Sequence, residues 1–311
     1  MSLGARLVSG SIGVALWCGL SVEPIVAQDA RHKLPVAGFE VVFEGEAVRN
    51  TDLVARATRI TRGVLPLLRR TFGSPRLGEE PLRRVTVRLG TERENASERD
   101  GWALLDVPLD NTTGRAWLAH EYVHLWLGLS IAPASPQETW FSEGAAEYYG
   151  WLALLDAGLA SRKDMEDALA NAFERYRWDS WIASGSISLA GGLLQAHRAL
   201  VLDGGFLIAA CLDGDIRRAT ELRSSLADVA RKLLAQGSSV RRYDSRAIYD
   251  AVEEVGGEPL ARSLARWVEG SAPLALWRCA TEVRTRGSDR ESRSSVPRSS
   301  SLSDSSGRKS P

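Results

Sequence analysis

Residues 120–124 read HEYVH, two histidines one helical turn apart with a glutamate beside the first. On a helix His120 and His124 share a face, so both imidazoles can reach one ion. Glu121 then points about 100° round the axis, toward an open coordination position. Such a set is suited to hydrolysis by a metal-activated water, and zinc is the ion that fits it. Catalytic zinc takes three protein ligands and keeps a fourth position for water, so a third ligand is expected downstream. Glu143 follows His124 after 18 intervening residues, within WFSEGAAEYY at 140–149, on what should be the next helix. The Pro-containing segment IAPASPQ at 131–137 supplies the turn that brings that helix back. Glu147 shares the face of Glu143 one turn later, where it can accept a hydrogen bond from a ligating histidine and fix its tautomer.

The elements that must position these groups change character along the chain. GFEVVFEG at 38–45 and RRVTVRLG at 83–90 alternate like strands, and an amphipathic run over 52–72 lies between them. A short strand is expected at 102–107. After residue 112 nearly every segment reads helical, at 114–130, 138–157, 163–177, 189–212, 222–234 and 259–269. Trp117, Trp126, Trp140 and Trp151 fall on apolar helical runs and are expected to pack the core. Asp203, Asp213 and Asp215 lie near helix ends, where aspartate is ordinary, and do not read as a second metal site.

The ends differ from the middle. Residues 1–28 open with one basic residue, Arg6, continue apolar and finish in small residues near Ala27, as a secretory signal does. An uncleaved N-terminal anchor is the competing reading. Residues 283–311 carry seven basic and three acidic side chains amid serine and proline, a composition expected to stay disordered. The whole chain of 311 residues balances 39 basic against 39 acidic groups, which argues against a surface built to track nucleic-acid phosphates. Three cysteines exclude a disulfide-dense scaffold. In an oxidising compartment Cys211 and Cys279 could pair, while the apolar run around Cys211 also fits a buried free thiol.

HExxH followed by 18 residues and a glutamate is the gluzincin pattern, and the surrounding residues resemble the catalytic domain of the glycyl aminopeptidase family. The likeness includes Trp126, the WFSEGxxxYY block and GGFLIAACLDGDIRRATELRSSLADVARKLL at 204–234, and it runs from Trp117 to Leu234. It implies an α+β fold, a small N-terminal α/β layer followed by a mostly helical zincin-like half with the HExxH helix at the junction. The metallopeptidase domain would then span 29–282, its α/β part 29–111 and its helical part 112–282.

The resemblance also implies one Zn2+ held by His120, His124 and Glu143, with Glu121 as general base, acting on a peptide or protein substrate. Two departures stand out. Relatives carry a Gly-Gly-Leu-Glu-His type strand before the zinc helix, and this chain has GWALLDVP at 101–108 without the glutamate. The tyrosine that stabilises the oxyanion in relatives aligns with Leu202. Tyr148, Tyr149, Tyr176 and His197 are candidates to replace it, and His197 is taken here as the catalytic one. Tyr148 and Tyr149 also read as residues that wedge their helix into the core. The expected protein is an exported zinc peptidase, periplasmic, extracellular or tethered to a membrane through its N-terminus. The alternative is a catalytically weak relative that binds peptides or a partner protein without turnover.

Overall fold

A computed structural model describes residues 31–89, 102–105, 109, 111–183, 186–187, 197–236 and 241–270. The expected signal segment 1–28, the Ser/Arg-rich tail 283–311, Cys18 and Cys279 lie outside these residues. The fold is mixed and mostly helical. Four strands form one sheet in the order β1 (Arg31–Val36), β2 (Phe39–Glu44), β5 (Arg84–Leu89), β6 (Trp102–Leu105). The β1–β2 pair is antiparallel, and β2–β5 and β5–β6 are parallel. Strands β3 (Arg76–Leu77) and β4 (Glu80–Pro81) make a small hairpin, and β7 (Ala132–Pro133) pairs with β8 (Arg242–Tyr243). The sequence reading missed β1, whose polar residues and Pro35 hide it, because register along β2 rather than hydrophobic alternation defines it.

Helix α1 (Thr51–Phe72) links β2 to β3. The Asn50 side chain caps it by accepting from the amides of Asp52 and Leu53, and Gly73 ends it at φ 84. Its buried face, with Val54, Ala57, Ile60, Val64, Leu68 and Phe72, repeats every three or four residues, as a helix laid on a core requires. The remaining helices are α2 (Thr112–Val123), α3 (Thr139–Asp156), α4 (Arg162–Ala183), α5 (Arg198–Ala219), α6 (Leu226–Gln236), α7 (Ser245–Gly256) and α8 (Glu258–Glu269). Helix α7 was not anticipated from the sequence, and α5 is described from Arg198, residues 188–196 of the run expected from 189 lying outside the described residues.

Helix α2 is shorter than its apolar run suggests. It was expected to reach residue 130 and stops at Val123, with His124 as its C-terminal cap. Leu129 donates to the His124 carbonyl, Gly128 at φ 153 donates to the Ile131 carbonyl, and the chain turns out of the helix. Apolar residues fill this turn because Leu125, Trp126 and Leu127 are all buried in it, so periodicity alone could not mark the end. A three-residue 3-10 turn at Pro136–Glu138 then starts α3: Glu138 accepts from the Ser135 amide at 2.9 Å in a capping box, and Ser245 at the start of α7 donates to its other oxygen.

Two pairs of backbones meet closely around α3. A Cβ on Gly144 would stand 2.2 Å from the Gly205 carbonyl of α5, and one on Gly205 would stand 2.3 Å from the Trp140 carbonyl oxygen. On the other side a Cβ on Gly150 would lie 2.9 Å from the His120 amide nitrogen of α2. Backbone atoms cannot swing aside as a side chain can. Gly144→Ala is therefore expected to destabilise the protein by about 1–3 kcal/mol through overpacking, read as a lower midpoint in thermal or urea unfolding. An unchanged midpoint would mean that α3 and α5 separate at no cost.

Candidate metal centre and cleft

The metal group is built on a helix pinned in its last turn and just beyond it. Tyr122, inside HEYVH, is fully buried, and its hydroxyl lies 2.6 Å from Thr61 Oγ1 on α1. Thr61 spends its own proton on the Ala57 carbonyl, so Tyr122 is the donor in that pair. Just past the helix, Trp126 donates its indole N–H to the Gly73 carbonyl at 3.0 Å, fastening the turn to the end of α1. The residues that alternate with the histidines thus hold the helix in place and leave His120 and His124 facing α3.

His120, His124 and Glu143 converge, with one possible ligand atom from each lying within 4.8 Å of the others. The two Nε2 atoms are 3.0 Å apart, His120 Nε2 is 3.3 Å from Glu143 Oε2, and His124 Nε2 is 3.7 Å from Glu143 Oε1. Atoms bound about 2.0–2.1 Å from one tetrahedral ion stand about 3.3 Å from each other, so the observed spacing fits zinc. The hydrogen bonds on the far sides of the rings agree. His120 Nδ1 lies 3.0 Å from Glu147 Oε2, and His124 Nδ1 lies 2.9 Å from the Leu127 carbonyl oxygen. Both partners are acceptors, so each neutral imidazole carries its proton on Nδ1 and turns a lone pair on Nε2 toward Glu143.

The electrostatics call for positive charge at the same point. Burial disfavours a charged imidazole at His120, yet Glu143 and Glu147 outweigh it and hold that pKa well above its ordinary value. His124 is raised too, with burial opposing and Glu143 the main counterweight. For Glu143 burial disfavours the carboxylate, but His124 and His120 hold its pKa well below the usual range. A buried carboxylate surrounded in this way is stable only beside a cation, and a bound metal ion supplies one.

Glu147 is tied down at both oxygens. Its second oxygen accepts the indole N–H of Trp151 at 2.8 Å, one turn along α3. Trp117, one turn before His120, stacks on that ring with centroids 5.6 Å apart and planes 3° apart. The sequence reading placed Trp117 and Trp151 in the core with Trp126 and Trp140. The latter two are fully buried, whereas Trp117 and Trp151 also line a cleft. That cleft, 480 Å³ in volume, has His120, Glu143 and Glu147 on one wall and Arg175, Arg198, Leu202, Asp203 and Phe206 on another. Leu202 lies in the cleft wall.

The other candidates sit elsewhere. His197 precedes α5 and stands 3.5 Å from an Asp179 oxygen, outside the described lining of the cleft. Tyr148 donates to Asp213 at 2.8 Å, Tyr149 packs edge-on against Phe72, and Tyr176 is buried beneath Gly204. Asp213 also accepts from the Leu226 amide and from Arg217, a structural junction rather than a ligand group. Cys211 is disulfide-bonded, which corrects the reading of it as a buried free thiol.

The M61 glycyl aminopeptidase family matches residues 114–188, the stretch that carries all three metal-facing side chains and Glu147. The chain resembles gluzincin metallopeptidases in both sequence and fold. A solved aminopeptidase N family protein from Idiomarina loihiensis superposes with a TM-score of 0.63 at 16% identity, covering 82% of this chain and 49% of its own. The M1 zinc metallopeptidase from Deinococcus radiodurans, solved as a mutant bound to a Tyr-Ser-Ala substrate, gives 0.55 at 18% identity, covering 79% of this chain and 53% of that one. This chain thus spans about half the length of these structures. No curated protein matches it by sequence.

Glu147→Ala should keep the fold, since it removes an acceptor at the cleft wall rather than a packed group. It should weaken zinc binding about 10–100-fold, as loss of a histidine's outer partner does. Chelator competition monitored alongside circular dichroism checks both. Undiminished affinity would separate Glu147 from the metal group.

Proposed function

We propose that the protein is a zinc-dependent peptidase that hydrolyses peptide bonds at the His120–His124–Glu143 group. The observation that carries this reading is the pair of Nδ1 hydrogen bonds, which leaves both histidines with lone pairs converging on one carboxylate. Structural zinc sites are closed by four protein ligands, whereas catalytic ones have three and a free position. Among the described residues three possible ligands meet here, and two of them line a cleft.

The chemistry zinc supplies when bound is Lewis acidity toward a water and a peptide carbonyl. Glu121 follows His120 on α2 and its charge adds a little to the rise in His124's pKa; in this reading it serves as general base. It takes the proton of the attacking water and hands it to the leaving amine. Glu147 and the Leu127 carbonyl hold the two ligating rings in orientation, and Trp117 covers the face of one. His197, the sequence candidate for a second oxyanion donor, has its described contact with Asp179. Leu202 in the cleft wall favours a second reading, a peptide-binding relative with little turnover.

The reading extends to location. An apolar segment with small residues near Ala27 and a disulfide at Cys211 support a protein that works outside the cytoplasm. No described helix is long and apolar enough to cross a membrane.

One experiment decides between the readings. Zinc-loaded protein and its Glu121→Gln variant are incubated with a mixed peptide library, and products are followed by mass spectrometry. Equal zinc content in both, with cleavage about 10²–10⁴-fold slower in the variant, is the expected result. Chelation should stop the parent protein as well. Zinc in both and cleavage in neither would favour the binding reading, and absence of zinc would overturn the ligand set.

A further inference from the structure

Two cations line the described part of the cleft, and they differ in what they face. Arg175, on α4, is committed to Asp203 on α5: Nε donates to one carboxylate oxygen at 2.9 Å and Nη2 to the other at 2.6 Å. That planar, two-bond pair is electrically neutral and fixes α4 against α5. The carboxylates on the opposite wall are also committed, Glu143 to the imidazoles and Glu147 to His120 and Trp151. Arg198 is different. It lines the cleft from the first turn of α5 and makes no hydrogen bond or ion pair with a described residue.

The surroundings of Arg198 are mostly apolar. Leu202 and Phe206 follow it at four-residue spacing along α5, and Trp117 and Trp151 stand on the other helices that line the cleft. Such a wall takes the methylenes of an extended residue. The Arg198 guanidinium acts at a distance on Asp203, whose oxygens Arg175 already holds, and its forked pair of donors is left for whatever lies at its end. The group with complementary shape and charge is a carboxylate.

We propose that Arg198 makes the cleft a subsite for a carboxylate-bearing peptide residue, so that the protein selects acidic peptide ligands. A glutamate or aspartate side chain and a free C-terminus offer the same group. The inference rests on the reading of the cleft as peptide-binding, and it concerns recognition rather than turnover.

The test therefore measures binding. Zinc-loaded Glu121→Gln protein is titrated with paired peptides that differ only by glutamate against glutamine, and each pair is made with a free and an amidated C-terminus. Calorimetry or tryptophan fluorescence gives the dissociation constants. The carboxylate form should bind about five- to tenfold more tightly. That margin should shrink to about one when Arg198→Ala is added and survive in part with Arg198→Lys. If glutamate against glutamine sets the preference, the side chain is the source; if free against amidated termini set it, the C-terminus is. Equal binding of all four peptides, no binding of any, or a preference that persists in Arg198→Ala would each overturn the proposal. So would an equal weakening of charged and neutral peptides, which would show Arg198 holding the peptide backbone. A parent protein that fails to cleave would refute the peptidase reading while leaving these affinities to judge the subsite on their own.

Discussion

The site depends on how closely three helices approach. Gly150 lets α3 rest against the backbone of α2 at His120, and Gly144 and Gly205 let it rest against the backbone of α5. An added methyl at any of the three would meet peptide atoms, which do not rotate out of the way. Because α2 carries both histidines and α3 carries Glu143, the first contact sets how far the third ligand stands from the other two. The second sets where the cleft wall on α5 begins. Side-chain packing over the rest of the core tolerates adjustment of a few tenths of an ångström, but a ligand set for one small ion does not.

On that frame, polarity is arranged outward from the metal group in layers. The inner atoms are two imidazole nitrogens and a carboxylate, mutually stabilised only if positive charge lies between them. The next layer, Glu147 and the Leu127 carbonyl, fixes the tautomers. Beyond it Trp151 and the fold itself hold those acceptors still. Each layer removes a freedom that the layer inside would otherwise spend, so the Nε2 atoms point inward before any ion arrives. This is preorganisation in the ordinary sense.

What the sequence revealed about this arrangement follows from how local each feature is. The helical spacing of His120, Glu121 and His124, and of Glu143 and Glu147, depends on 3.6 residues per turn and is readable from five-residue windows. The α1 stripe and strands β2 and β5 were legible for the same reason. The partner of His124 was not. It is a backbone carbonyl, exposed only because α2 ends at Val123 and the chain folds back through Gly128, and the apolar residues of that turn are there for the core. The commitment of Arg175 to Asp203, 28 positions away, left no local mark either. Nor did the separation of Trp117 and Trp151, which meet the cleft, from Trp126 and Trp140, which do not.

The two walls of the cleft are held by different kinds of interaction, and the difference bears on how the protein can vary. The metal wall is fixed by backbone contacts at glycines and by buried hydrogen bonds, where almost any substitution shifts the ligands. The facing wall is held by side chains: Arg175 with Asp203, and Asp179 of α4 accepting from the Leu200 amide at the start of α5. Of its cleft-facing residues, Phe206 adjoins the tight contact at Gly205, while Arg198 and Leu202 lie N-terminal to it, on turns of α5 whose backbone α3 does not constrain in that way. A substitution there changes what the cleft accepts without moving His120, His124 or Glu143. A leucine at 202 and an arginine at 198 are therefore compatible with an intact metal group, because the structure separates the residues that hold the ion from those that meet the ligand.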